Sequence, residues 1–224
     1  TRSTPLSYYH PSTPAAGILQ SKEFEFRKPA MIGLGTGAIA AYVGKDQTFH
    51  IYELDPDNIQ IAEKHFTYLE IGRQQGADIH FVLGDGRIRL RERPPNSHDL
   101  LIIDAFNSGS IPVHLLTINA LEEYARTVTG NGLILFHVSN KILTLEPVIY
   151  SNAQKLDMLV CHKTYIKNSP DTETTHWVAV CKSKSIMSIL TTKLGWRTAP
   201  ATPLPAPWTD TYCNIFAALR EQHL

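Results

Sequence analysis

The strongest constraint on the fold is one run of residues: the apolar strand Pro29 to Gly33, glycines at Gly33, Gly35 and Gly37, the small residues Ala38 to Ala41, and an acid at Glu53. Glycine lacks a Cβ, so the backbone there can turn tightly and approach a ligand, and the turn feeds a helix N-terminus. Glu53 lies twenty residues beyond Gly33, closing the next strand, Phe49 to Leu54. A carboxylate in that place can accept both hydrogens of a ribose diol. The pattern reads as a βαβ unit for an adenosine-containing molecule, with Gly33, Gly35, Gly37 and Glu53 as contacts.

The alternation continues beyond this unit. Pro56 opens a helix that carries Ile59, Ala62, Phe66 and Leu69 at three- and four-residue spacing. Strands are expected at Ile79 to Leu83 and Leu100 to Asp104, the second an unbroken apolar run of the kind parallel sheets bury on both faces. A helix over Thr117 to Thr129, a strand over Gly132 to Val138, a helix over Leu145 to Leu156 and a strand over Met158 to Tyr165 follow. The polar, turn-rich residues 166 to 175 then lead into His176 to Lys182 as an antiparallel hairpin partner. The fold class is therefore α/β: a doubly wound, mostly parallel seven-stranded sheet with an antiparallel edge strand.

Residues 1 to 28 are expected to form a β or irregular lead-in, and residues 29 to 224 the nucleoside-binding domain. Ala199 to Pro207 holds four prolines and reads as a strap leading to Trp208 and a last helix.

Charge and composition narrow the partners. Lys plus Arg equal Asp plus Glu at 21 each, so no net field draws the protein to nucleic acid or an anionic membrane. Cys161, Cys181 and Cys213 are odd in number and lack CxxC spacing, which argues against a disulfide framework and against a zinc site. They read as buried fillers in a reducing compartment, the cytoplasm. No apolar stretch reaches the roughly 20 residues that cross a bilayer. The chain starts at Thr1, so a longer parent protein is expected.

In doubly wound sheets, ligands sit beyond the carboxyl ends of the strands. Asp85, between Gly84 and Gly86, could accept from the exocyclic amine of an adenine, or could simply hold a turn. Asp104 ends an apolar strand, where a desolvated carboxylate gains basicity. It is the first choice for a catalytic residue, with a capping role as the alternative. His137, closing the fifth strand, reads more readily as a hydrogen-bonded core histidine than as a catalytic one.

Taken together, Gly33-Leu34-Gly35-Thr36-Gly37, Tyr52-Glu53-Leu54-Asp55-Pro56, Gly84-Asp85-Gly86 and Ile103-Asp104-Ala105-Phe106 resemble the spermidine synthase-like aminopropyltransferases of the class I S-adenosylmethionine-dependent fold. More narrowly, DAFNSGSIPVHLLT from Asp104 to Thr117, His137-Val138-Ser139-Asn140 and Trp208-Thr209-Asp210 resemble bacterial spermidine synthase-like domains that are often fused to membrane segments. The resemblance implies that Glu53 and Leu54 seat the ribose of a sulfonium nucleoside, that Asp85 and Gly86 lie at its adenine, and that Asp104 faces an amine acceptor. Tyr9, His10, Asn107, Trp208 and Asp210 would line the acceptor side. It further implies S-adenosylmethionine or its decarboxylated form as donor, methylthioadenosine as product, no metal, a polyamine-like acceptor, a homodimer, and a membrane domain in the parent chain.

Three positions depart from the family. Thr36 stands where aminopropyltransferases place an acid that meets the donor's ammonium, and a neutral hydroxyl neither forms that bond nor repels the carboxylate of intact S-adenosylmethionine. Asn107 and Gly109 stand where the family or its membrane-fused relatives carry a second acid. Four readings follow: aminopropyl transfer; methyl transfer on the same fold, against which the apolar Met31 counts; a dinucleotide-dependent oxidoreductase, from the Gly33-x-Gly35-x-x-Ala38 pattern; and a nucleoside-binding module without turnover.

Overall fold

The structure, a computed structural model, describes residues 4–106, 111–200 and 203–219. Asn107 and Gly109 lie outside the described residues.

Four parallel strands follow the glycine-loop logic of the sequence: β1 (Pro29–Ile32), β2 (Thr48–Glu53), β3 (Asp78–Leu83) and β4 (His98–Ile103). They are joined by β5 (Val128–His137), β6 (Leu159–Tyr165), β7 (Thr175–Cys181) and the two-residue β8 (Arg197–Thr198). The sheet order is β3-β2-β1-β4-β5-β7-β6-β8. The chain winds outward from β1 to β3 and then crosses to β4, so strand order reverses between β1 and β4, the place where such sheets open a crevice.

The mostly parallel α/β sheet stands as read, with two refinements. It has eight strands rather than seven, and the antiparallel strand β7 is not at the edge: it is inserted between β5 and β6, antiparallel to both. A hairpin between β6 and β7 was legible, but which of its strands meets β5 depends on side chains from elsewhere in the chain.

Both faces of the sheet are covered, and the residues of β4 alternate between them. Leu101 and Ile103 pack on one face with α4 (Gly86–Arg91), α5 (Ile118–Thr127) and α6 (Glu146–Lys155). Leu100 and Ile102 pack on the other with α1 (Pro14–Leu19), α3 (Tyr68–Gln74) and α7 (Lys184–Ser188). This explains the continuous apolar runs of the central strands.

Three local expectations change. The opening segment carries the helix α1, whose Ala15, Ala16 and Ile18 are fully buried, rather than only β or irregular chain. The helix read through Leu69 is two helices, α2 (Pro56–His65) and α3, because Phe66 turns extended. The physical reason lies at Gly72: a Cβ there would sit 2.5 Å from the Ala40 carbonyl oxygen, so α3 presses directly on the 3-10 turn Ala38–Tyr42 and leaves the axis of α2. No last helix follows Trp208; among the described residues the tail holds only the 3-10 turn Phe216–Ala218. Of the cysteines, Cys161 and Cys181 are buried as expected, whereas Cys213 is exposed. Among the described residues no helix is long and apolar enough to cross a membrane.

Candidate active site

The polar strand ends converge on one edge of the sheet. Gly33 to Gly37 follow β1, Glu53 ends β2, Asp85 follows β3, Asp104 follows β4 and His137 ends β5.

Gly33, Gly35 and Gly37 all have positive φ, at 92°, 53° and 75°, which explains the residue type at each. Their surroundings differ. A Cβ on Gly33 would lie 2.5 Å from the backbone oxygen of Asp104, so this glycine lets β1 and β4 close up at the switch point; a Cβ on Gly35 would meet nothing within 4 Å. Gly35 and the exposed Thr36 therefore border open space.

Glu53 is 8% exposed and its carboxylate is partly engaged. Oε2 accepts from the Leu34 N–H and from Asn58 Nδ2, both at 2.9 Å, and Oε1 accepts from the Asp55 N–H at 3.0 Å. The Leu34 bond ties the glycine loop to β2. A carboxylate offers about four acceptor sites, so Oε1 keeps one for a ribose hydroxyl and the Asn58 side chain is the partner free to rotate from Oε2. Leu54 (69% exposed) and its strand neighbour Leu83 (48%) add apolar surface beside it, suited to the flat faces of a base. The residues present thus fit an adenine nucleoside.

Asp85 realises the turn reading. Its Oδ1 caps α4 by accepting from the Ile88 N–H at 3.0 Å, and its Oδ2 meets His114 Nε2 at 3.0 Å. Its side chain remains 28% exposed.

Asp104 is deeply buried. His137 Nδ1 is hydrogen-bonded to its Oδ1 at 2.7 Å, with side chains 3% and 2% exposed. Its Oδ2 is buried without a partner among the described residues. Burial pushes the Asp104 carboxyl above the usual carboxylate range, and the histidine partly offsets this. Around the His137 ring stand Trp177, stacked at 4.5 Å, Phe106 at 5.0 Å, Tyr8 at 5.1 Å and Tyr9 at 6.4 Å.

The expected acceptor-side residues divide. Tyr9 comes to this aromatic wall, whereas His10 is bonded through Nδ1 to Ser12 Oγ in its own turn. Trp208 does not line a pocket: it is 1% exposed, its N–H held by Asn152 and its carbonyl by the Ile118 N–H. Asp210 forms a bidentate pair with Arg87, both contacts 2.7 Å, and also accepts from Thr117. It borders a second cleft of about 370 Å³ that includes His114, Tyr212 and Cys213. The proline strap carries these residues back over α5 and α6, where Ser151 binds the Pro205 carbonyl. The sequence does not mark Tyr8, Thr175 or Trp177 as site residues. Tyr8 had a signal, its adjacency to Tyr9; the two β7 residues had none, because the insertion of β7 beside β5 is not visible in sequence.

The hydrogen bonds from Arg87 hold the Asp210 carboxyl down at about 2. A depressed carboxylate stabilises the fold above its unfolded value near 4 and loses that contribution as the pH falls. With 45% of the Asp210 side chain exposed, solvent screening keeps the effect near 1 kcal/mol. Thermal melts should therefore show the wild type losing stability between pH 4 and pH 2 more steeply than Asp210→Asn; parallel curves would refute the pairing.

No family model matches the chain. A polyamine aminopropyltransferase from Vibrio vulnificus (strain CMCP6) is 28% identical over 142 residues, covering 60% of this chain and 45% of that protein. The chain thus spans less than half the length of this curated relative. Among solved structures, a probable spermidine synthase from Corynebacterium glutamicum ATCC 13032 superposes with a TM-score of 0.56 at 14% identity, covering 84% of this chain and 75% of that one. The spermidine synthase from Thermotoga maritima gives 0.52 at 14% identity, with 88% and 66% covered.

Proposed function

We propose that this chain, spermidine synthase-like in sequence and built on the class I methyltransferase fold, transfers an aminopropyl group from decarboxylated S-adenosylmethionine to an amine acceptor. The observation that carries the reading is Asp104: a buried carboxylate with one oxygen bonded to His137 and the other unpartnered among the described residues, beside a glycine loop and an acid suited to an adenine nucleoside. Asp104 Oδ2 would receive the acceptor's ammonium N–H, and the faces of Tyr8, Tyr9 and Phe106 favour a cation beside them. The donor supplies a positively charged leaving group, so the chain's contribution is to align the nitrogen with the sulfonium carbon and to take one proton at Asp104. Glu53 and the backbone at Gly35 would hold the nucleoside, with Asp85 at its adenine.

The neutral, exposed Thr36 does not by its charge separate decarboxylated from intact donor. Both donors therefore enter the test: incubation with a panel of mono-, di- and triamines, followed by mass spectrometry of the nucleoside product. Methylthioadenosine with the decarboxylated donor is the expected result. S-adenosylhomocysteine from the intact donor would replace the reading with methyl transfer, and binding without either product would leave a nucleoside-binding module.

A further inference from the structure

The transfer reading uses Asp104 and leaves unexplained why a histidine is buried against it. The β4–β5 register pairs Ile103 with Phe136, so the next residues, Asp104 and His137, stand side by side at the ends of neighbouring parallel strands. Their contact is a product of strand register, fixed by the core on both faces of the sheet.

The histidine is held on every side. Ser139 Oγ lies 2.8 Å and Thr175 Oγ1 2.9 Å from Nε2, and Ser139 Oγ also accepts from the His176 N–H at 2.9 Å. With Nε2 accepting from a hydroxyl, the ring proton is left on Nδ1, pointed at Asp104. Stacking on Trp177 at an interplanar angle of 9° fixes the ring plane. The other titratable side chains against the ring are Tyr8 and Tyr9 of the opening segment; Phe106, Thr175 and Trp177 carry no titratable charge there.

We infer that His137 is a positioning residue that binds Asp104 Oδ1, favours the charged form of the carboxylate in its buried seat, and leaves Oδ2 as the oxygen that deprotonates the acceptor. The inference rests on the transfer reading for its catalytic consequence, and on this geometry alone for the state of Asp104. The proton balance is simple. One ammonium proton passes from the acceptor to Oδ2, and the freed nitrogen lone pair forms the C–N bond. The C–S electron pair goes to sulfur, which leaves as a neutral thioether. The proton on Asp104 is then lost to solvent while the Nδ1 proton stays on His137. Without the histidine, burial favours the protonated acid, which cannot accept.

The test compares wild type with His137→Phe, which keeps the stack on Trp177 but removes the donor, and His137→Asn, whose amide nitrogen falls near the place of Nδ1. Carbon-13 titration of the Asp104 carboxyl, identified by its loss in Asp104→Asn, reads the interaction without turnover. In His137→Phe the proton affinity of Asp104 should rise at least about 10-fold. At neutral pH kcat should fall about 100-fold, recovering as the pH is raised, while KM for the donor is unchanged. His137→Asn should restore most of both. If His137→Phe does not fold, His137→Gln, whose amide reaches toward Ser139 and Thr175 instead, serves as the loss variant. An unchanged Asp104 titration, or a rate loss that is flat with pH and not restored by asparagine, overturns the inference. If the wild type turns over no donor and amine pair, the transfer reading fails, and the titration still decides the role of His137.

Discussion

Asp104→Asn is expected to lower turnover about 1,000-fold while leaving nucleoside binding unchanged, the scale of losing a general base. The amide keeps the shape and still accepts the His137 Nδ1–H, so its NH2 group turns into the pocket where Oδ2 stood. A donor then faces an ammonium, and the acceptor neither docks in the right charge state nor gives up a proton. The loss is not one of folding. Burial raises the Asp104 carboxyl above its unfolded value. Such a group costs nothing at pH values where both states are protonated and destabilises the fold increasingly as the pH rises through its folded value. Removing the charge should therefore leave the melting temperature at neutral pH equal to or above that of wild type. Calorimetry with methylthioadenosine and steady-state rates on the same preparation would check both halves. A variant that retains rate removes Asp104 from the chemistry, and one that melts early makes it a structural acid.

Gly33→Ala should do the reverse, damaging the fold first. The residue has φ of 92°, and its Cβ would lie 2.5 Å from the Asp104 carbonyl oxygen and 2.9 Å from the carbonyl carbon. Both neighbours are backbone, so no side chain can swing aside. Backbone strain of about 1–3 kcal/mol adds to the displacement of β4 from β1, giving about 3 kcal/mol or more in all. For a domain of this size that lowers the melting temperature by roughly 6–12 °C. Gly35→Ala is the contrast: φ of 53° falls in the left-handed region, where alanine costs about 1–2 kcal/mol, and its Cβ meets nothing within 4 Å. It should stay folded and lose nucleoside affinity instead. Thermal denaturation of the two variants side by side separates the glycine that closes the sheet from the glycine that opens the crevice.

The glycine loop and the acids at the strand ends were legible because their determinants are local. A glycine forced to positive φ, a cap such as Asp55 before Pro56, and a carboxylate at the end of an apolar run leave marks within a few residues of themselves. Capping also explains why Asp85 was ambiguous: the same short acid between glycines serves a helix N-terminus and a base equally well, and here its Oδ1 is spent on Ile88. The acceptor half was less legible. Tyr9 stands near His137 together with the unmarked Tyr8, whereas Trp208 is buried in the strap and Asp210 is paired with Arg87 at a separate cleft.

By itself the sequence determined the succession of strands β1 to β7, the glycine turn, the acid at Glu53 and the carboxyl edge of the sheet on which Asp104 stands, because hydrophobic period and backbone sterics act over neighbouring residues. Tertiary structure alone decided that β7 enters between β5 and β6, bringing Thr175 and Trp177 to His137, and that Asp104 and His137 share a hydrogen bond. Strand order and register are set by side chains meeting across the sheet from distant parts of the chain, and such meetings carry no local signature.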